Sequence, residues 1–248
     1  MEKLMRLNGP DGNGIYGKLR QGGNRRLVVH IHGLANHMDD YLGIMSSEFF
    51  LERSYDHYRM SLYSEQEGSR QLNNSSPSTH VKDVKVILDH FSAQYDNLYL
   101  TAHSLGGLVA LLLNPSSVKA MSFWDPALDI TSVWASGPFL KPMPERREYQ
   151  IRFGVVYVIG EAMVEEMKNY PDEKCQELAR DVRAPTQFVI PEESIFLLSP
   201  RTSPEKYRDA FTVPFDLRTI PGANHLFSTG GARRPLFEAT LQWFEKYK

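Results

Sequence analysis

The chain has 248 residues, 42% of them hydrophobic, which is enough to bury the core of one sizeable α/β domain. Its formal net charge is -2 with no long run of one sign, which excludes the basic surface that a nucleic-acid partner requires. The single cysteine, Cys175, excludes an intramolecular disulfide and a thiolate metal cage. It sits in a charged helical stretch and reads as an exposed or half-buried thiol. Residues 1–7 are too few and too charged for a signal peptide, and no stretch reaches the length of a membrane span. The expectation is a cytoplasmic protein with no membrane attachment.

Residues 1–26 alternate short strand-like pieces with Gly-rich turns and predict antiparallel hairpins at a sheet edge. Leu27–His32 is a dense apolar strand that closes on Gly33-Leu34. Gly33 permits a sharp turn after which an N–H can point back over the strand end. His30 and His32 share one strand face, but no further His or Cys is placed to complete a metal set, and no metal site is predicted. Tyr41–Arg53 reads as a helix, His57–Tyr63 as a strand, and 64–77 as a polar loop. Thr79–Tyr95 is a helix whose Val81, Val84, Ile87, Leu88 and Phe91 recur at three-to-four spacing.

Leu98–Thr101 is a buried strand, and the apolar residues from Leu105 onward pack a helix that Asn114-Pro115 stops. Between them lies Ala102-His-Ser-Leu-Gly106, a tight turn of the nucleophile-elbow form, with Ala102 in place of the usual first glycine. Such a turn lifts Ser104 Oγ above the sheet edge and aims the first helical N–H groups at whatever the serine attacks. Val118–Trp124 is the next strand, ending at Asp125-Pro-Ala127. Repeated strand–helix–strand units predict a mainly parallel sheet with helices on both faces.

Regular alternation lapses from Ile130 to Arg183. Phe153–Met167 and Asp172–Val182 read as helices, and the segment as a small helical cap inserted over the active face of a single 1–248 domain. Its aromatic residues Trp134, Phe139 and Tyr157 are candidate walls of a substrate pocket. Strands resume at Thr186–Ile190 and Phe215–Ile220. The loop Pro221–Phe227 follows and Arg234–Lys248 closes as a helix.

His32-Gly33-Leu34, Ala102-His-Ser-Leu-Gly-Gly107 and Gly222-Ala-Asn-His-Leu-Phe227 occur in the order and spacing of the α/β-hydrolase family. The resemblance runs over nearly the whole chain. It is similar above all to small-capped bacterial serine esterases of the cinnamoyl/feruloyl type, whose features Glu67-Gly-Ser69 and the Phe153–Tyr170 helix also fit. The resemblance implies Ser104 as nucleophile, His225 as base, and the N–H groups of Leu34 and Leu105 as the oxyanion hole. It implies no cofactor. The chemistry of these residue types agrees. A serine hydroxyl is a poor nucleophile until a base takes its proton, and imidazole titrates near neutrality. His103, beside the nucleophile, reads as structural, packed beneath the turn.

The third member departs from the family pattern. The run after the late strand is Ile190-Pro-Glu-Glu-Ser194, with Ser194 where the acid normally stands. Glu193, with its longer side chain, is the favoured acid. Glu192 and Asp125 are the alternatives. The sequence therefore reads as a serine esterase that forms an acyl-enzyme on a small, largely apolar or aromatic acyl group. Its partner would be a small-molecule ester, with the oligomeric state left open. A thioesterase, a C–C bond hydrolase and a non-catalytic ligand-binding member with a decayed triad are the alternatives.

Overall fold

In the computed structural model, residues 1–135, 139–153, 155–194 and 204–248 are described. The Gly-rich start folds into a hairpin of β1 (Glu2–Asn8) and β2 (Gly14–Arg20), paired antiparallel. The dense apolar run becomes β3 (Arg26–Ile31), which leads through α1 (Tyr41–Leu51) to β4 (Asp56–Ser61). Next come α2 (Pro77–Ser92), β5 (Asn97–His103), α3 (Leu105–Leu113) and β6 (Val118–Trp124). Pro77 stands in the first turn of α2, where its missing N–H costs nothing, and the Ser76 and Thr79 side chains cap each other's backbone.

The stretch from 130 to 183 forms α4 (Ile130–Ala135), a three-stranded antiparallel sheet, α5 (Glu161–Met167) and α6 (Asp172–Arg180). The small sheet consists of β7 (Leu140–Met143), β8 (Glu148–Phe153) and β9 (Val155–Gly160). The helix expected over Phe153–Met167 thus begins only at Glu161, Phe153 ending β8 and Val155–Gly160 forming β9. The reason is visible in Val155-Val-Tyr-Val-Ile159, whose β-branched side chains are stiff and fit a pleated surface better than a helix. This segment is tied to the rest of the chain by Glu166, which accepts hydrogen bonds from Ser76 Oγ, Ser78 Oγ and Ser78 N–H at the start of α2. Met163, Val164 and Met167 add their side chains to the main apolar cluster.

The chain then returns to β10 (Thr186–Glu193), β11 (Phe215–Asn224) and α7 (Arg233–Phe244). The large sheet has eight strands in the order β1-β2-β4-β3-β5-β6-β10-β11. β1, β2 and β4 pair antiparallel, and every pairing from β4 across to β11 is parallel. β3 and β5 lie near the middle, buried on both faces, so they read as continuous apolar runs rather than alternating ones. Ligands of such sheets collect beyond the carboxyl ends of the parallel strands. Gly33, Ser104, Asp125 and His225 all follow such ends. Among the described residues no helix is long and apolar enough to cross a membrane.

Candidate active site

β5 ends at His103 and α3 begins at Leu105, which leaves Ser104 alone at the corner with φ 54 and ψ -121. That backbone region is costly for a residue with a Cβ and persists only where its surroundings enforce it. Here they do. The Ser104 N–H donates to the Trp124 carbonyl at 3.1 Å, and the Ser104 carbonyl accepts from Ala127 N–H and Gly107 N–H, both at 2.9 Å. The corner is also crowded. A Cβ at Gly106 would lie 2.6 Å from the Ile31 carbonyl oxygen, and one at Gly33 would lie 2.9 Å from Ser104 Cβ. Small residues at these positions let β3, the turn and α3 approach closely enough to set the serine beside the 33–36 loop.

His225 is the first residue after β11. Its Nδ1 lies 2.6 Å from Asp125 Oδ2, and since a carboxylate only accepts, Nδ1–H is the donor, which in the neutral ring leaves the lone pair on Nε2. Asp125 is the first residue after β6, buried, with φ 43, and its N–H donates to the Val189 carbonyl. Ser194 Oγ donates to the same carboxylate, 2.7 Å from Oδ1 and 2.9 Å from Oδ2. The carboxylate brought to the His225 ring is therefore that of Asp125 and not Glu193. The physical reason lies in β10. Its pairing with β6 stops at Val189, while its pairing with β11 continues past Pro191 to Glu193 opposite Asn224. Held in the strand, Glu193 is exposed at the cavity wall, and Glu192 accepts from the Gly222 N–H at 2.8 Å instead.

The His103 ring lies 4.7 Å from that of His225, and its Nε2–H donates to the His225 carbonyl at 2.9 Å. Burial pushes its pKa down to about 3, so it is a neutral prop for the His225 loop. His32 is fixed in one tautomer. Its Nε2 accepts from Leu62 N–H at 3.0 Å and its Nδ1–H donates to the Gly33 carbonyl at 2.7 Å. Desolvation lowers its pKa to about 4. The Tyr63 hydroxyl accepts from Asn36 N–H at 3.1 Å. Together these bonds shape the loop carrying Leu34. Leu105 opens α3, where the first N–H groups have no carbonyl one turn back. Among the described residues, neither the Leu34 nor the Leu105 N–H meets a backbone carbonyl.

A cavity of about 450 Å³ opens over these groups, with Leu34, Ser104, Ile130, Tyr157, Glu193 and His225 among its walls. A model of the Alpha/beta hydrolase family matches residues 28–235. The chain belongs to that family. A comparison with curated protein sequences gives no match. Among solved structures, the ferulic acid complex of Est1E from Butyrivibrio proteoclasticus is 16% identical, with a TM-score of 0.77 over 97% of this chain and 99% of that one. The mouse alpha/beta hydrolase domain-containing protein 10 is 17% identical, with a TM-score of 0.76 over 99% and 100%. A dienelactone hydrolase from Anabaena variabilis is 16% identical, with a TM-score of 0.69 over 100% and 98%. At such identities the likeness is one of fold.

Of the aromatic residues expected to line the pocket of this hydrolase, only Tyr157 does so. Trp134 is 6% exposed and packs in the main apolar cluster, and Phe139 is half-buried against it, so the core takes up the apolar surface expected at the pocket. Ile130, Asn36 and Asn224 line the cavity and were not singled out from the sequence, since nothing local marks them. Cys175 is buried rather than half-exposed, and burial pushes its thiol up to about 12. Among the described residues no group of three or more His, Cys, Asp or Glu is arranged to hold a metal ion.

Proposed function

We propose that this hydrolase cleaves carboxylic esters through an acyl-enzyme on Ser104, with His225 as general base and Asp125 as the acid. The observation that carries the reading is the 2.6 Å bond to Asp125 Oδ2 from Nδ1 of His225, which lines the same cavity as Ser104. With the proton on Nδ1, Nε2 takes the proton of Ser104 as Oγ attacks the ester carbonyl. The tetrahedral oxyanion accepts from the N–H groups of Leu34 and Leu105. Collapse expels the alcohol, which receives the proton from His225, and water repeats the cycle to release the acid. The carboxylate on His225 weighs against a non-catalytic member with a decayed triad.

The cavity is of a size for a small ligand, and Leu34, Ile130, Tyr157 and Leu226 give it an apolar wall. A small aliphatic or aromatic acyl group suits it, in keeping with the aromatic acid bound by Est1E. Glu193 brings a carboxylate with no side-chain hydrogen bond or ion pair among the described residues, and no Lys or Arg is among the described residues of the wall. That charge favours neutral or cationic esters over anionic ones, and so weighs against thioesters of phosphorylated carriers. Steady-state and pre-steady-state hydrolysis of 4-nitrophenyl butyrate tests the assignment. The wild type should give a burst of 4-nitrophenol near one equivalent when deacylation limits turnover, and Ser104→Ala should lose about a million-fold in turnover while keeping its fold. A folded Ser104→Ala protein with more than a few per cent of wild-type activity would refute it.

A further inference from the structure

Asp125 is 1% exposed, and the described side chains that bond its carboxylate are His225 and Ser194. His225 occupies Oδ2. Ser194 has one hydroxyl proton, shared between the two oxygens and nearer Oδ1. A buried carboxylate keeps its charge and orientation only where donors replace water, and the imidazole supplies one side alone. The hydroxyl supplies the other. It comes from the residue immediately after β10, the strand beside β6, and it is itself buried. The pairing of Val189 with Trp124 and the bond from Asp125 N–H to the Val189 carbonyl fix the two strand ends against each other. Ser194 N–H donates to the Pro191 carbonyl at 3.2 Å, which turns the chain inward after the strand.

We propose that Ser194 is a positioning residue for hydrolysis: its hydroxyl holds the Asp125 carboxylate against His225, so that one acid site is assembled from the ends of two strands. The proposal rests on the Ser104–His225–Asp125 reading above. Two consequences separate it from simple packing. A proton added to the Asp125–His225 pair removes negative charge that the hydroxyl stabilises. Loss of the hydroxyl therefore lets the pair take up that proton at higher pH. Among the described residues, the His103 ring, from β5, lies 4.7 Å from that of His225 and Glu193, from β10, lines the same cavity, and a change at 194 alters neither chemically. Secondly, Ser194 Oγ is within 2.9 Å of both carboxylate oxygens. A carboxylate at 194 can therefore reach their place once residue 125 is shortened to serine.

The test compares wild type, Ser104→Ala, Ser194→Ala, Asp125→Ser and the exchanged pair Asp125→Ser with Ser194→Asp, each checked for its melting transition and assayed on 4-nitrophenyl butyrate from pH 5 to 9. Ser194→Ala should lower kcat about 10-fold, leave KM within about threefold, and move the acid limb of kcat/KM upward by about half to one pH unit. The exchanged pair should exceed Asp125→Ser by at least about 10-fold. A Ser194→Ala protein within twofold of wild type overturns the proposal. So does a lower kcat with an unmoved acid limb, which is the mark of packing alone, or an exchanged pair no better than Asp125→Ser. If the wild type itself fails to turn over the ester, or Ser104→Ala matches it, the hydrolytic reading falls first and the role of Ser194 falls with it.

Discussion

Exchanging Asp125 for Asn changes one atom and should disable the site through the wrong imidazole tautomer. The present carboxylate accepts from His225 on Oδ2 and from Ser194 chiefly on Oδ1. The asparagine side chain keeps the Ser194 bond by offering its oxygen there, which turns its NH₂ toward Nδ1. His225 must then accept on Nδ1 and carry its proton on Nε2, where it cannot receive one from Ser104. The equivalent change in the best-studied serine protease triad costs about 10,000-fold in turnover with the geometry intact, and a loss of about that size is expected here. Because Asn is isosteric and Asp125 is buried, the cost in folding should stay near that of one charge-assisted hydrogen bond, about 1.5–3 kcal/mol. The assay is kcat for 4-nitrophenyl butyrate on protein whose far-ultraviolet circular dichroism and melting curve match a folded state. Glu193→Gln, made in parallel, should keep kcat on this neutral ester within about threefold. If Asp125→Asn retains more than about one per cent of wild-type turnover, or if Glu193→Gln is the crippled variant, the assignment of the acid to the end of β6 is wrong.

Glu193→Gln should instead lower the preference for a cationic over a neutral isosteric ester, by about two- to fivefold for a partly solvated charge, with less effect at high salt; equal ratios in wild type and variant would rule out a charge role. Gly33→Ala places a Cβ 2.9 Å from Ser104 Cβ and should cost about 1–3 kcal/mol by denaturant unfolding as well as most of the activity; a fully active, equally stable variant would contradict the crowding. Acid should unfold the protein through its imidazoles. His30, His32, His57, His80 and His103 are buried and have pKa values pushed below 6.5, so the unfolded chain binds more protons and stability falls as pH drops from about 6.5 toward 4. Each imidazole adds at most about 1.4 kcal/mol per pH unit, a combined slope approaching about 7 kcal/mol per unit. Urea unfolding at pH 7.5, 6 and 5 measures it, and a midpoint that stays constant to pH 5 would refute it.

The elbow, the His32-Gly33 turn and the His225 loop were legible because each is a short run whose residue types answer a local steric need. Ser104 needs small neighbours, and they lie beside it in the sequence. The alternation of apolar strands and amphipathic helices likewise pointed to a mainly parallel sheet. The carboxylate that meets His225 was not legible because it is fixed by where β10 ends, which is a question of pairing. Pro191 suggests a turn, but beyond Val189 β10 pairs only with β11 among the described residues, so the missing N–H of proline does no harm there. The strand runs on, Glu193 stays at the wall, and Ser194 turns inward to Asp125. The strands of the 130–183 segment were hidden for a related reason. Val155–Ile159 is apolar at nearly every position, and such a run carries no period that separates helix from strand.

The most direct test of the hydrolytic reading is intact-protein mass spectrometry after treatment with a fluorophosphonate ester, followed by peptide mapping. One adduct per chain is expected on Ser104, formed rapidly in the wild type, at least about 1,000-fold more slowly in Asp125→Asn, and not at all in Ser104→Ala. An unmodified wild-type chain, an adduct on another residue, or equal labelling rates in wild type and Asp125→Asn would contradict it.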